Sequence, residues 1–322
     1  MKKFVCLVVA IFLSACTNRI EKREDQTPIV VGIAGSELSD VEKNCLCKYR
    51  PIGVILFKKN CINEQQLKAL TTEIKKFGCI VFIDIEGKLI NRLSDFFQID
   101  KDQRDFEFAD PKEVYEYYYK IARYVKSCGI DAVFAPVTDV SEASNSAACI
   151  GRRSFANDPV KVANLAYEVV KAYQDNGITP IIKHLPGHGK AEVDSHTSLP
   201  IVYEDPKDDI LANAMLIKKL KTEGRQLPHC MTAHVVYKRI DPNFPATLSP
   251  VVIQKVIRNQ IGLNDGLVFS DCFKMKALSR FPRSWEQFYN SGGNVIVICD
   301  DFEYIKNNMP SILTHRAQKR YL

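Results

Sequence analysis

The sequence predicts an α/β protein, a (β/α)8 TIM barrel in a single domain, on three observations. Short apolar, β-branched runs recur along the chain, each followed by an amphipathic segment of helical length. Eight such runs follow residue 27, enough to close a barrel. No first strand-to-helix turn carries a Gly-rich dinucleotide fingerprint, so a doubly wound sheet fits less well.

In chain order the predicted strands are 28–35, 52–57, 79–85, 131–137, 178–184, 228–234, 266–271 and 294–300. Two of the intervening helices are punctuated clearly. In "DPKEVYEYYYKIARYVKSCG" Asp110 caps and Pro111 takes the first turn. Val114, Tyr118, Ile121 and Val125 then line one face before Gly129 ends the helix. "NDPVKVANLAYEVVKAYQDNG" repeats the formula with Asp158, Pro159 and Gly177. The tyrosines of the first helix read as core and rim packing, not as a ligand platform. With no composition break, residues 28–322 are assigned to one barrel domain.

Ahead of the barrel, "MKKFVCLVVAIFLSAC" combines Lys2 and Lys3 with an apolar run and small residues before a cysteine. That is the pattern of an export signal, too short to span a membrane as a helix. Leu13-Ser14-Ala15-Cys16 resembles a bacterial lipobox, in which Cys16 is lipidated after residues ahead of it are removed. Polar residues 17–27 then read as a tether. The expectation is an exported lipoprotein held to a membrane by its lipid anchor.

At 322 residues, 46% hydrophobic and 25% charged, the chain has material for a full core. Its net charge of +6 is scattered among acids with no aromatic-interleaved basic stripe, which argues against nucleic acid as a partner. Of the eleven cysteines, processing removes Cys6 and acylates Cys16, and the remaining nine cannot all pair within one monomer. Cys79, Cys230 and Cys299 lie in apolar runs and read as small buried hydrophobes. Cys45 and Cys47 have no second pair at zinc spacing, so no metal is expected there.

Barrel chemistry sits at the C-terminal strand ends. Asp84, Lys183, His184, His234 and Asp271 collect there, where a strand interior gains nothing from them. The stretch "KHLPGHGKAEVDSHTSLP" adds His188, Asp194 and His196. His184 and His188 have the i, i+4 spacing of zinc helices, but Pro186, Gly187 and Gly189 break any helix, so the two do not share a helical face. Asp194 and His196 alternate as neighbours in an extended loop, where a carboxylate can fix the tautomer of an imidazole and raise its pKa. A catalytic dyad is the better reading; no metal and no cofactor is expected.

"KHLPGHGKAEVDSH" resembles the signature of the β-N-acetylglucosaminidase branch of glycoside hydrolase family 3. Further similar segments follow the family's order: "GVILFKKN", "DIEG" with "NRL", "IGRRSFANDP", "MTAHVVYKRIDPNFPATLSP" and "GLVFSDCFKMKAL". The resemblance, over residues 28–300, implies a barrel that removes terminal β-linked N-acetylglucosamine from peptidoglycan fragments or related glycans, with retention of configuration. It implies Asp271 as nucleophile, His196 as general acid/base and Asp194 as its orienting partner. Asp84, Arg92, Arg153, Lys183 and His184 match residues that hold the sugar.

The chain departs from the family pattern after the third strand, with Ile85 for glutamine, Lys88 for the second glycine and Leu89 for arginine. If that glycine needs a positive φ, Lys88 is strained or the loop is remodelled. After the nucleophile the family often has a second aspartate, and here it is Cys272. Two other functions stay open: a degenerate cell-wall-binding lipoprotein, and a phosphorylase of the same fold. Aglycone and oligomeric state are not readable.

Overall fold

A computed structural model of the chain describes residues 26–142, 150–299, 305–308 and 311–312. The leader, Cys16, most of the tether and Cys149 lie outside the described residues. All eight expected strands are present: β1 (Thr27–Gly32), β2 (Pro51–Leu56), β3 (Ile80–Ile83), β4 (Ala132–Val133), β5 (Thr179–Leu185), β6 (His229–Thr232), β7 (Val268–Cys272) and β8 (Val295–Ile298). They pair in parallel with their sequence neighbours, and β8 closes onto β1 through Ile29 opposite Ile296 and Val31 opposite Ile298.

Most strands are shorter than expected, and β4 shows why. It ends at Val133 although the apolar run continues, because Pro136 has no N–H to give a ladder. The chain beyond it still runs alongside β5: Lys183 N–H donates to the Pro136 carbonyl and Thr138 N–H to the Lys183 carbonyl. The proline thus ends the regular strand without releasing its C-terminal end.

Packing separates into two apolar layers. Inside the barrel Phe82, Phe134 and Phe269 form a triangle with ring centroids 5.6, 5.9 and 6.0 Å apart, alongside Val30, Ile181 and Val297. Gly53 leaves the space Phe82 occupies, since a Cβ there would sit 2.3 Å from the ring. Outside, the strands' other faces meet the helices α1 (Asp40–Tyr49), α2 (Glu64–Lys76), α3 (Pro111–Ser127), α4 (Pro159–Asp175) and α5 (Lys207–Thr222).

Helices α3 and α4 start at the expected caps, with the Asp110 and Asp158 carboxylates accepting backbone N–H groups of the first turn. Gly129 and Gly177 beyond their ends take positive φ of 82° and 65°. Val114, Tyr118, Ile121 and Val125 are all buried. Tyr118 spends its hydroxyl on the Glu86 carbonyl and is core, as expected. After β6 the connection is a wide-turned π-helix over Val251–Gln260, and after β7 a short helix, Ser284–Asn290.

One feature was not legible: residues Ile201–Val202 and Val236–Tyr237 pair as a two-stranded sheet joining the loops after β5 and β6. Elements of two residues leave no periodicity to read. No disulfide joins any of the eight described cysteines. Cys61, Cys79 and Cys230 are buried, and burial pushes each thiol up to about 12. No helix among the described residues is long and apolar enough to cross a membrane.

The interior triangle predicts a contrast measurable by urea unfolding. Phe269→Ala should cost about 3–5 kcal/mol through the cavity it leaves. Phe108→Ala, at a residue 86% exposed, should stay within about 0.5 kcal/mol of wild type.

Candidate active site

The C-terminal ends of the strands enclose a cavity of about 150 Å³. Its lining includes Asp84, Arg92, Arg153, Lys183, His184, Asp194, His196 and Asp271, so all eight candidate site residues of the barrel meet at one place. They come from the ends of β3, β5 and β7 and from the loops after β3, β4 and β5.

The floor is organised by charge. The buried Lys183 ammonium lies 2.8 Å from Asp84 and 2.6 Å from Glu86. Arg92 contacts the second oxygen of Asp84 at 3.1 Å, and Arg153 grips Glu86 through two N–H groups at 2.7 and 2.8 Å. The result is an unbroken alternation of cation and anion: Arg92, Asp84, Lys183, Glu86, Arg153. Burial alone would raise both carboxyls, but the neighbouring cations outweigh it. Lys183 and Arg92 hold Asp84 well below the usual carboxylate range, and Arg153 and Lys183 hold Glu86 at about 2. Lys183 is shifted the other way: burial disfavours its charge, and Asp84 and Glu86 more than restore it.

A second buried carboxylate, Asp139, fixes the histidines. One oxygen lies 2.8 Å from His184 Nδ1, and the other accepts the backbone N–H groups of His184 and His188. His184 and His188 therefore stand 5.6 Å apart, ring to ring, around one acid although they share no helix. Burial and the neighbouring His184 push His188 down to about 4, so it is neutral near pH 7. Among the described residues no three His, Cys, Asp or Glu side chains are grouped to hold a metal.

Asp271 ends β7 with its carboxylate facing the cavity. Its Oδ1 accepts the Cys272 N–H at 2.7 Å. Burial pushes its pKa up, but His234, His184 and the Cys272 N–H outweigh burial and leave it below the ordinary value. The carboxylate is thus ionised near neutrality. His234 itself corrects one expectation: it sits at the strand end but behind the cavity wall. Its Nε2 bonds the Cys272 carbonyl at 3.1 Å and its Nδ1 the Thr247 hydroxyl at 2.7 Å, so it braces the turn that carries Asp271.

At the rim, Asp194 Oδ1 lies 2.8 Å from His196 Nδ1 and also accepts the His196 N–H at 2.9 Å. The expected pair is formed, and the His196 side chain is 72% exposed. The loop is held at its root and beside its tip, where the buried Ser195 accepts the Ala277 N–H and its hydroxyl lies 3.4 Å from His188 Nε2. A Cβ on Gly189 would lie 2.0 Å from the Val140 carbonyl, and Tyr237 donates its hydroxyl to the Gly187 carbonyl. These two glycines let the backbone pass where no side chain fits.

Three features of the site escaped sequence reasoning, two in the cavity lining and one, Asp139, buried behind it. Glu86 follows Asp84 by two residues, the strand alternation that points both to one side, and that spacing was the available signal. Asp139 is an acid two residues beyond the expected fourth strand, in the otherwise apolar "FAPVTDV". Cys299, expected as a small buried hydrophobe, is only half-buried and lines the cavity, because β8 ends at Ile298 and its next side chain faces the opening. Lys88, where a strained residue or a remodelled loop was expected, does not have a positive φ; among described non-glycine residues only Arg50 and Arg283 do. The loop is anchored instead by Lys88 N–H to the Lys101 carbonyl and Leu89 N–H to Asp102.

Removing one anion from the floor should be costly. Glu86→Gln leaves Lys183 and Arg153 sharing too little charge, and urea unfolding at pH 7 should show a loss of about 3 kcal/mol. The sign of the acid response follows from the depressed pKa. Glu86 contributes stability above its unfolded value, about 4.3, and loses it as pH falls toward about 2. Over that window wild type should therefore lose more stability than Glu86→Gln.

With this geometry in place, the chain can be compared with known proteins. Residues 21–308 match the model of the glycosyl hydrolase family 3 N-terminal domain. A β-hexosaminidase of Alkalilimnicola ehrlichii is 32% identical over 306 residues, covering 89% of this chain and 84% of that protein. One of Shewanella frigidimarina is 32% identical over 287 residues, covering 85% and 82%. Among solved structures, NagZ from Neisseria gonorrhoeae in complex with N-trifluoroacetyl-D-glucosamine superposes with a TM-score of 0.80 at 28% identity, covering 89% of this chain and 85% of that one. A family 3 β-N-acetylglucosaminidase from a Paenibacillus superposes with a TM-score of 0.83 at 27% identity, and this chain spans 57% of its length. The chain is a glycoside hydrolase and belongs to family 3, whose N-terminal barrel domain it carries across residues 21–308.

Proposed function

We propose that the protein is an exo-β-N-acetylglucosaminidase that cleaves terminal β-linked N-acetylglucosamine from peptidoglycan-derived fragments with retention of configuration. The observation that carries the reading is an ionised carboxylate, Asp271, and a carboxylate-paired imidazole, His196, lining one cavity. The names and ligand of the family relatives support the same sugar.

Retaining hydrolysis needs a carboxylate that attacks the anomeric carbon and a second group that protonates the leaving oxygen and later deprotonates water. Asp271 serves as nucleophile through Oδ2, since Oδ1 is held by the Cys272 N–H. His196 is the proton shuttle. Asp194 occupies its Nδ1, which leaves Nε2 to reach the glycosidic oxygen. The exposed imidazole moves over the sugar on the loop tip while Gly187 and Gly189 keep the root in place. Asp84, Arg92, Arg153, Lys183 and His184 hold the sugar's hydroxyls and amide, in a site whose charges are oriented before substrate arrives.

The domain and envelope readings are part of the same proposal. Residues 1–16 act as an export signal ending in lipidated Cys16, 17–27 as a tether, and 28–322 as the barrel. A membrane-anchored barrel on a polar tether has the reach to meet wall fragments.

Asp271→Ala should lower turnover of a chromogenic β-N-acetylglucosaminide by about a thousand-fold or more while far-UV circular dichroism stays unchanged. Activity within a few-fold of wild type would remove it as nucleophile. His196→Ala should slow a disaccharide substrate by about a hundred-fold and an activated aryl glycoside much less in its first step, because an alkoxide needs a proton to leave and an acidic phenol hardly does. Product read by NMR should be the β-anomer of free sugar. A sugar 1-phosphate formed at the expense of added phosphate would instead make the protein a phosphorylase, and wild type bound to fragments without turnover would make it a binding protein. For the anchor, a fatty-acid analogue should label wild type in cells and miss Cys16→Ser; equal labelling of both would refute it.

A further inference from the structure

Beside the nucleophile the cavity wall holds two thiols that the proposed hydrolysis does not use. Cys272 follows Asp271 directly, and Cys299 follows the end of β8, the neighbouring strand. The Cys299 backbone N–H donates to Cys272 Sγ at 3.2 Å, which places the Cys272 sulfur against the end of β8. Both line the cavity with Asp271. The other described cysteines do not share this setting, being either buried in apolar packing, as Cys61, Cys79, Cys128 and Cys230 are, or near the surface in α1, as Cys45 and Cys47 are.

We propose that Cys272 and Cys299 form an oxidisable dithiol, a modification site for small hydroperoxides, and that closing it into a disulfide shuts the hydrolytic site.

The chemistry follows from the contacts. The Cys299 backbone N–H points at Cys272 sulfur and favours its thiolate, and the neighbouring Cys299 lowers the Cys272 pKa against the effect of burial. Cys272 and burial in turn keep Cys299 as the thiol. The Cys272 thiolate attacks one peroxide oxygen; the O–O bond breaks, the electron pair leaves on the alkoxide, and that takes a proton to become an alcohol, or water from hydrogen peroxide. The Cys272 sulfenic acid so formed is attacked by Cys299 sulfur. Its S–O bond breaks as the S–S bond forms, and hydroxide leaves as water with the Cys299 proton. In sum, two thiols and one hydroperoxide give one disulfide, one alcohol and one water.

Closure would act on Asp271 through the backbone. The ladder sets Cys272 opposite Val297, so Cys299 lies two residues beyond its direct partner, and a disulfide, which needs Cα atoms within about 7 Å, draws the two strand ends toward each other. The Cys272 N–H that holds Asp271 Oδ1 and the Cys272 carbonyl that His234 braces belong to that residue. A shift there misaims the carboxylate, and a 1 Å misplacement is enough to cost about a hundred-fold in rate.

The inhibitory half of the proposal rests on the hydrolase reading; the cross-link itself does not. The test treats the full chain with hydrogen peroxide and follows turnover together with peptide masses. Wild type should lose activity about ten-fold or more, in step with a peptide joining Cys272 to Cys299, and recover with dithiothreitol. Cys299→Ala should inactivate about ten-fold more slowly than wild type relative to its own untreated rate, for want of the resolving thiol. Cys299→Ser, which keeps the side chain's shape and a hydrogen-bond donor, should likewise form no cross-link and guards against a misfolded alanine variant. Inactivated wild type without the joined peptide, or variants that inactivate as fast as wild type, would overturn the dithiol. A joined peptide with undiminished turnover would overturn its inhibitory role. Wild type with no turnover before treatment would count against the hydrolase reading, while the peptide masses would still decide whether the dithiol forms.

Discussion

The buried Lys183 ammonium, shared between Asp84 and Glu86, holds the working end of the barrel together. Lys183 lies near the C-terminal end of β5, and both acids belong to the chain leaving β3, so a charge that has lost its water binds two segments that are not neighbours in the barrel. Burial alone would disfavour the charge on all three groups, and each is kept ionised by its oppositely charged neighbours. Arg92 and Arg153 extend the chain to the loops after β3 and β4, so the cavity floor is one electrostatic unit. Its members are oriented by each other, and a sugar entering the cavity meets dipoles and charges already in place.

Against this fixed floor the two groups proposed to react, Asp271 and His196, are mounted differently. Asp271 sits on a strand end, with its backbone braced by His234 and one oxygen engaged by the adjacent N–H. His196 sits on an exposed tip whose only anchor within the pair is Asp194. A nucleophile must be aimed to within a fraction of an ångström, whereas a proton shuttle must serve two oxygen positions in succession. A buried carboxylate on a strand and an exposed imidazole on a loop suit those different demands.

The departures from the family pattern separate into two kinds. Lys88 replaces a glycine at a position where this chain needs no positive φ, and its backbone is satisfied by Lys101, so the substitution is absorbed locally. Cys272 is different. A thiol beside Asp271, within reach of the Cys299 backbone N–H from the next strand, changes the chemistry of the cavity wall.

The sequence by itself determined the barrel and most of its site. Eight apolar runs, with Asp110, Asp158, Gly129 and Gly177 punctuating the helices, are local signals, since capping and period-2 burial act within a few residues. Parallel strands in sequence order also bring all their C-terminal ends together, which is why Asp84, Lys183, His184 and Asp271 could be placed before any coordinate was known. Tertiary structure decided what depends on contacts between distant segments. It paired Glu86 with Arg153 and Lys183, set Asp139 under two histidines from the β5 end, moved His234 behind the wall and brought Cys299 into the cavity. Each of those outcomes turns on which side of a strand end faces the opening once the barrel closes, and no local periodicity carries that information past the last ladder hydrogen bond.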